Sequence, residues 1–281
     1  MIEAILLGIA QDAGVPQLGC ACPRCLAAQA HPALVRHAVS LGLVHRASGQ
    51  MWLVDATPDI RPQLHRLRLA APGCALAGIL LTHAHMGHYT GLMHLGREGW
   101  NSRRLPVYAS PAMIDFLSAN LPWRQLVELE NIVLHPLAPD VPLALAADLR
   151  VTAVPVPHRN EWSDTLGFVL CGPSRRLFYC PDIDDWTQWD RDLATFLANE
   201  RIDIALLDGC FFSPAELPGR NLAEIPHPFA TQTVAQVAGS PCQVGLIHLN
   251  HTNPLLDDGP DRAWVMEQGV AVPDEGDRWD L

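Results

Sequence analysis

Residues 83–88 read HAHMGH, so three imidazoles, His83, His85 and His88, fall within six positions directly after the apolar run Gly78–Leu81. Neutral imidazole is a good ligand for Zn, Fe or Mn near physiological pH. If the apolar run is a buried strand, His83 and His85 share one side of the loop that follows it. Both can then reach one ion, while His88 opens the next element and faces a neighbouring position. Hydrogen-bonded loop histidines would explain one imidazole; three at H-x-H-x-x-H spacing favour a metal. Other strand-like runs end in similar groups. VTAVPVPH closes on His158, LFYCPD on Asp182, and QVGLIHLNH carries His248 and His251. Strand ends converging on one rim are where metal-binding and catalytic groups collect in layered α/β folds.

A second cluster lies near the start of the chain. GCACPRC places Cys20, Cys22 and Cys25 in a C-x-C-x-x-C pattern. Three thiols this close can wrap one tetrahedral ion, with a fourth ligand from elsewhere. Free or redox-active thiols are the alternative, and the tight loop with Gly19 and Pro23 favours the ion. The remaining cysteines, Cys74, Cys171, Cys180, Cys210 and Cys242, are scattered mostly through apolar runs and read as small buried hydrophobes.

The elements that must position these groups are legible in outline. Short apolar runs recur at Ile5–Ile9, Ser40–Val44, Met51–Val54, Gly78–Leu81, Pro106–Tyr108, Val151–Val156, Gly167–Leu170, Leu177–Cys180, Ile204–Leu207 and Val244–Leu249. Ser110-Pro111 opens the helix AMIDFLSAN with an N-cap and a first-turn proline. Helical spacing of Trp189, Leu193, Phe196 and Leu197 predicts a helix over 186–200, and Phe229–Ala238 predicts another. Pro58 and Pro62 leave a short helix around Gln63–Leu69, which Asp59 is placed to cap. Strands come in groups with helices unevenly between them, so two sheets between helices fit better than one doubly wound sheet. The 24 prolines are spread along loops, and no repeat or linker divides the chain. One domain over residues 1–281 is expected, with 135–145 and the stretch after Asp257 peripheral.

Composition limits the partners. Nineteen basic against thirty acidic residues give a formal net charge of −11, which argues against a nucleic-acid groove. An anionic small molecule remains compatible, because a bound metal reverses the local potential. No apolar run approaches the roughly 20 residues of a membrane helix. The N-terminal MIEAILLGIAQDAG lacks a basic lead and a cleavage site, and reads as a first strand. A cytoplasmic protein without disulfides is expected, with a small-molecule substrate and a homodimer left open.

The ordered set of motifs from LVDATPD around Asp55 to His248 resembles the metallo-β-lactamase superfamily, whose fold is an αββα four-layer sandwich holding one or two metals. The resemblance implies that His83, His85 and His158 hold a first ion, and that His88, Asp182 and His248 hold a second, with Asp182 bridging. GVPQLGCACPRC, ATPDIR, HYTGLMHLGREG, SDTLGF and HLNHTNPLL resemble the pyrroloquinoline quinone (PQQ) biosynthesis protein B family. The thiols and site histidines also resemble the cyclic-phosphate phosphodiesterases of phosphonate breakdown. That second resemblance implies a structural zinc on Cys20, Cys22, Cys25 and His251, and a general-acid role for His227. A capping or exposed histidine between Pro226 and Pro228 is the competing reading of His227. Asp55 is expected to steady the histidine loop from behind. One departure stands out. Gly87 occupies the position where superfamily hydrolases carry aspartate, so the second site is expected to lack a carboxylate and to hold its ion weakly.

A metal held by three histidines with an open position lowers the pKa of water toward about 7 and polarises a carbonyl or phosphoryl oxygen. The leading expectation is a metal-dependent hydrolase of a phosphodiester or related ester. Its cofactors would be one or two active-site Zn²⁺ ions, or Mn²⁺ or Fe²⁺, and a structural Zn²⁺. Asp182 would orient the attacking water and His227 would protonate the leaving group. The alternative is an oxidative or carrier role like that of the quinone family, and a third is a binding protein with a degraded site. Arg61 and Arg159 could meet an anionic group, and Trp162 could line the pocket.

Overall fold

The structure is a computed structural model, and it describes residues 2–281. Among the described residues there are thirteen strands: β1 (Ile2–Gly8), β2 (Ser40–His45), β3 (Gln50–Val54), β4 (Ala75–Leu80), β5 (Leu105–Ala109), β6 (Ile132–Pro136), β7 (Leu143–Ala146), β8 (Leu149–Val156), β9 (Thr165–Cys171), β10 (Arg176–Cys180), β11 (Ile204–Asp208), β12 (Gln243–Ile247) and β13 (Arg278–Asp280). Ten lie at the apolar runs, and three, β6, β7 and β13, lie outside them. The α-helices are α1 (Pro23–Ala30), α2 (Ile60–Ala70), α3 (Met86–Tyr89), α4 (Pro111–Ala119), α5 (Trp123–Glu128), α6 (Leu193–Asn199), α7 (Ala230–Gln236) and α8 (Pro260–Glu267).

Two sheets result, in the orders β13-β1-β2-β3-β4-β5-β6 and β12-β11-β10-β9-β8-β7. Three apolar layers tie them to each other and to the helices. Between the sheets Trp52, Phe168 and Tyr179 are fully buried with Leu41, Leu43 and Leu206. Outside the first sheet, Met51, Leu53 and Ile79 meet Leu67 of α2 and Met113 and Leu117 of α4. Outside the second, Phe178, Leu207 and Leu246 meet Phe196 of α6, Val234 of α7 and Val265 of α8. Along β3 the residues alternate between the two layers, Met51 and Leu53 outward, Trp52 and Val54 inward, as the period of a strand requires. This is the αββα four-layer sandwich.

Strand direction decides where the chemistry gathers. β3, β4 and β5 pair in parallel, and so do β10, β11 and β12. β8 reaches β10 through two antiparallel steps, and β1 reaches β3 likewise, so both run with their parallel neighbours. The C-terminal ends of β1, β3, β4, β8, β10, β11 and β12 therefore open on one rim.

Four local expectations need correction. The helix expected over 186–200 spans only Leu193–Asn199, starting where the Asp192 side chain accepts a hydrogen bond from Thr195 N–H at 2.8 Å. Trp186 and Trp189 owe their burial to tertiary contacts: their indole N–H groups reach Thr233 Oγ1 and the Pro155 carbonyl, each at 2.9 Å. Helix α2 begins earlier than expected, because Pro62 lies in its first turn, where an N–H has no intrahelical partner. Asp59 stands at the N-cap position but makes no capping bond; its carboxylate accepts from Ala38 N–H at 2.9 Å. The stretch after Asp257 is not peripheral, since β13 pairs with β1 and buries Trp279 and Leu281. The expected start of α4 is present, with Ser110 Oγ accepting from Met113 N–H at 3.1 Å.

Candidate metal centre

At the rim, Asp55 follows β3, His83 and His85 follow β4, and His88 lies in α3. His158 follows β8, Asp182 follows β10, Asp208 ends β11 and His248 follows β12. Asp55 and His248 adopt left-handed backbone conformations, with φ of 65° and 64°. Non-glycine residues held there are uncommon and concentrate at functional sites.

Every imidazole of the cluster except His248, whose Nδ1 is buried without a partner, is oriented by a polar neighbour on the side away from the centre. Asp55 accepts from Thr82 N–H at 2.9 Å and from the Thr82 hydroxyl at 3.0 Å. That hydroxyl lies 2.9 Å from His83 Nδ1, and the other oxygen of Asp55 lies 2.8 Å from His88 Nδ1. Asp184 is 2.9 Å from His158 Nδ1, Asp208 is 2.8 Å from His227 Nδ1, and Glu161 is 3.4 Å from His85 Nε2. With those nitrogens carrying the proton, the lone pairs of His83, His88 and His158 Nε2 and of His85 Nδ1 are left for the centre. This is the outer bonding that metal-bound histidines use.

Two groups of donors meet there. His85 Nδ1 and His158 Nε2 are 3.2 Å apart, and with His83 Nε2 they form one set able to hold an ion. Asp182 lies between this set and the next. Its oxygens are 3.6 Å from His158 Nε2, 3.8 Å from His83 Nε2, 2.9 Å from His88 Nε2 and 3.5 Å from His248 Nε2. Bonds of about 2.0–2.1 Å in a tetrahedron put neighbouring ligand atoms roughly 3.4 Å apart, so these spacings suit bound ions. His83 Nε2 is buried and finds no hydrogen-bond partner, and the buried Asp182 Oδ2 has His88 Nε2 at 2.9 Å. An orphaned nitrogen of this kind is costly in a closed protein and is what an ion would satisfy.

The electrostatics agree. Burial, and then the neighbouring imidazoles, hold His83 well below the usual histidine range, which keeps it neutral. Burial works against ionised Asp182, but His248, His88 and His158 outweigh it and hold the carboxyl well below its usual range. Burial likewise opposes a charged His88, yet Asp55 and Asp182 raise its pKa well above normal. The cluster thus carries carboxylate charge that needs a cation, whether protons or a metal.

The thiols form a separate site. His251 Nδ1 lies 3.7 Å from Cys20 Sγ, 3.7 Å from Cys22 Sγ and 3.6 Å from Cys25 Sγ. Zn–S and Zn–N bonds of about 2.3 and 2.0–2.1 Å in a tetrahedron predict roughly 3.6 Å for these separations. Burial resists ionisation of Cys22, but the Cys25 backbone N–H and His251 pull its thiol down to about 6. This set is one of several groups of donors close enough to hold a metal, and others lie at the rim.

A cleft of about 430 Å³ opens over the rim, lined by Asp12, His85, His158, Asp182, His227 and His248, with Arg159 and Arg220 at its edge. Arg61 lines a different hollow with His65 and Trp100, and Trp162 is exposed beside Phe116, outside the cleft. Sequence reasoning missed Asp12, Asp208 and Arg220, while Cys210, read as a small buried hydrophobe, is fully buried beside His227 and His248. Asp208 had a usable signal, since IALLD ends a strand as LFYCPD does. Asp12 had none, because its partners are more than seventy residues away. Gly87 brings no carboxylate to the second set, but one approaches it from another part of the chain. Asp12 Oδ1 stands 3.1 Å from His88 Nε2 and 3.4 Å from His248 Nε2.

A family model described as a beta-lactamase superfamily domain matches residues 51–254. The chain belongs to this superfamily. Over its length it is similar to coenzyme PQQ synthesis protein B of Methylobacterium sp. (strain 4-46), at 29% identity over 98% of both chains. The same protein of Klebsiella pneumoniae (strain 342) is 29% identical over 96% of each. Among solved structures, Zn(2+)-bound PqqB from Methylobacterium extorquens superposes with a TM-score of 0.83 at 24% identity, covering 99% of this chain and 100% of that one. A diphosphatase from the PhnP family superposes with a TM-score of 0.72 at 20% identity, covering 99% and 96%. At these identities the structural likeness is one of fold.

Proposed function

We propose that the chain is a metal-dependent hydrolase acting on a small anionic phosphodiester or related ester. The observation that carries this reading is the buried meeting of five histidines and Asp182 beneath an open cleft. Divalent ions bound there supply a water of lowered pKa and a Lewis acid. Asp182, between the two donor sets, orients the attacking water. His227 lines the cleft with Nδ1 bonded to Asp208, leaving Nε2 to protonate the departing oxygen. Arg159 and Arg220 hold the anionic group. The Cys20, Cys22, Cys25 and His251 set binds a structural zinc.

The test is turnover of an aryl phosphodiester by protein reloaded separately with Zn²⁺, Mn²⁺ and Fe²⁺. Metal-dependent release of the phenol, lost in His158→Ala, is expected. No turnover with any of the three would overturn the reading. A second reading, a step or carrier role in quinone-cofactor biosynthesis, draws on the similarity to coenzyme PQQ synthesis protein B. Iron as the native metal together with O₂ consumption would favour it, since His and carboxylate sites with open positions suit Fe(II).

A further inference from the structure

We propose that Asp12, on the loop after β1, is itself a metal ligand that completes a four-donor site with His88, Asp182 and His248. The inference rests on the metal-binding part of the proposed function, but not on hydrolysis.

Asp12 Oδ1, His88 Nε2, His248 Nε2 and Asp182 Oδ2 approach one another in four measured pairs, at 3.1, 3.4, 2.9 and 3.5 Å. These four lengths lie near the roughly 3.4 Å edge of a tetrahedron with N and O ligands, and Asp12, His88 and His248 by themselves form a set compact enough to hold one ion. With the single proton of each imidazole on Nδ1, as metal binding requires, all four atoms present lone pairs. His88 Nδ1 faces Asp55 at 2.8 Å, so in the neutral imidazole Nε2 is an acceptor aimed at two carboxylates. Asp182 Oδ2 is buried, with His88 Nε2 at 2.9 Å and His248 Nε2 at 3.5 Å. Acceptors converging without donors repel one another unless a cation stands between them.

The fold builds this corner deliberately. Gly14 N–H closes a turn onto the Gln11 carbonyl at 2.8 Å, and Gln11 N–H bonds Leu249 O at 2.9 Å. Leu249 N–H in turn bonds Ile9 O at 2.8 Å. The loop bearing Asp12 is thus tied to the residue after His248. The other side of the corner is Gly87. A Cβ there would lie 2.2 Å from Asp12 Oδ1 and 2.6 Å from Asp12 Cα. A side chain at 87 and the Asp12 loop cannot share the space, so the glycine is what lets this carboxylate enter.

The experiment counts ions instead of turnover. Purified protein is stripped, reloaded with Zn²⁺ and assayed for bound metal, and its affinity is read by competition with a chelator. The wild type is expected to hold two ions in the rim cluster and one on the thiols. Asp12→Ala should lose one rim ion, with affinity for it down at least on the order of 100-fold, beyond the 10–100-fold of an outer partner. Asp12→Asn, which keeps the shape, should fall between. Retention of the Co²⁺–thiolate absorption band in both variants reports that the loop and the thiol site remain folded. Two rim ions of unchanged affinity in both variants would overturn the inference alone, leaving Asp12 as a partner of protonated His88. A wild type that holds one rim ion would also overturn it. A wild type with none would overturn the metal reading with it.

Discussion

Asp208 Oδ2 lies 2.8 Å from His227 Nδ1, and the same carboxylate oxygen accepts from Ile183 N–H at 3.2 Å. One buried aspartate therefore fixes both the candidate proton donor and the loop that carries Asp182. Burial opposes a charged His227, but Asp208 and then Asp182 raise its pKa above the usual value. His227→Gln is expected to slow phosphodiester turnover on the order of 10²–10⁴-fold, the span of a general acid. Asp208→Asn should act in the same direction at about the lower end of that range. A lost proton donor has its own signature: substrates with poor alkoxide leaving groups suffer more than aryl ones. Equal losses on both classes, measured as kcat with metal content unchanged, would assign the pair to structure alone.

Cys25→Ser tests the thiol site. His251 is three residues beyond His248, and Asp12 lies on the loop that leads into Cys20. Losing this ion frees both loops at once. The variant should lose one zinc equivalent, and its thermal midpoint should fall by at least about 4 °C, roughly the effect of 1–2 kcal/mol in a chain of this size. Turnover per folded molecule should fall less. Abolished turnover at an unchanged midpoint, read by calorimetry and assay, would make the thiols catalytic.

Most of the sandwich was readable from pattern, because its strands are continuous apolar runs and each run that ends in His or Asp delivers that residue to the rim. The histidines and Asp182 were readable for the same reason. Trp186 and Trp189 misled because burial against Phe178 and Pro155 mimics helical spacing without a helix. Asp12 and Gly87 were unreadable as a pair, since their contact is a matter of tertiary packing across 74 intervening positions. β13 was hidden by its length, three residues among charged neighbours.

That last strand carries a measurable load. Trp279 is 8% exposed and packs between the sheets with Leu281, at the edge of β1. Trp279→Ala should destabilise the protein by about 3 kcal/mol, the lower end for deleting a buried aromatic. Chemical denaturation with an unchanged slope would report it. A loss under about 1 kcal/mol, the size of a surface change, would mean that β13 is dispensable to the sandwich.

The C-terminal segment is also pinned through an ion pair whose pH dependence can be worked out. His37 Nδ1 lies 2.9 Å from Glu275 Oε2, His37 N–H donates to Oε1 at 2.5 Å, and Arg66 pairs with the same carboxylate. The bond to Glu275 raises the His37 pKa, with burial and Arg66 acting against it. Burial pushes Glu275 up, but His37 and Arg66 outweigh it and bring its carboxyl below the usual value. A histidine that holds its proton more tightly when folded contributes fully below its unfolded pKa of about 6.5. That contribution fades as pH rises through the folded value. The carboxylate contributes above its unfolded pKa of about 4.3, and its share is lost as pH falls through its lower folded value. Glu275→Gln removes both. The gap in thermal midpoint between wild type and this variant should be widest between about pH 5 and 6.5. It should narrow above that window as His37 deprotonates, leaving the part that Arg66 supplies. A gap of constant size from about pH 5 to 9 would mean that His37 stays neutral in the folded protein across the whole range.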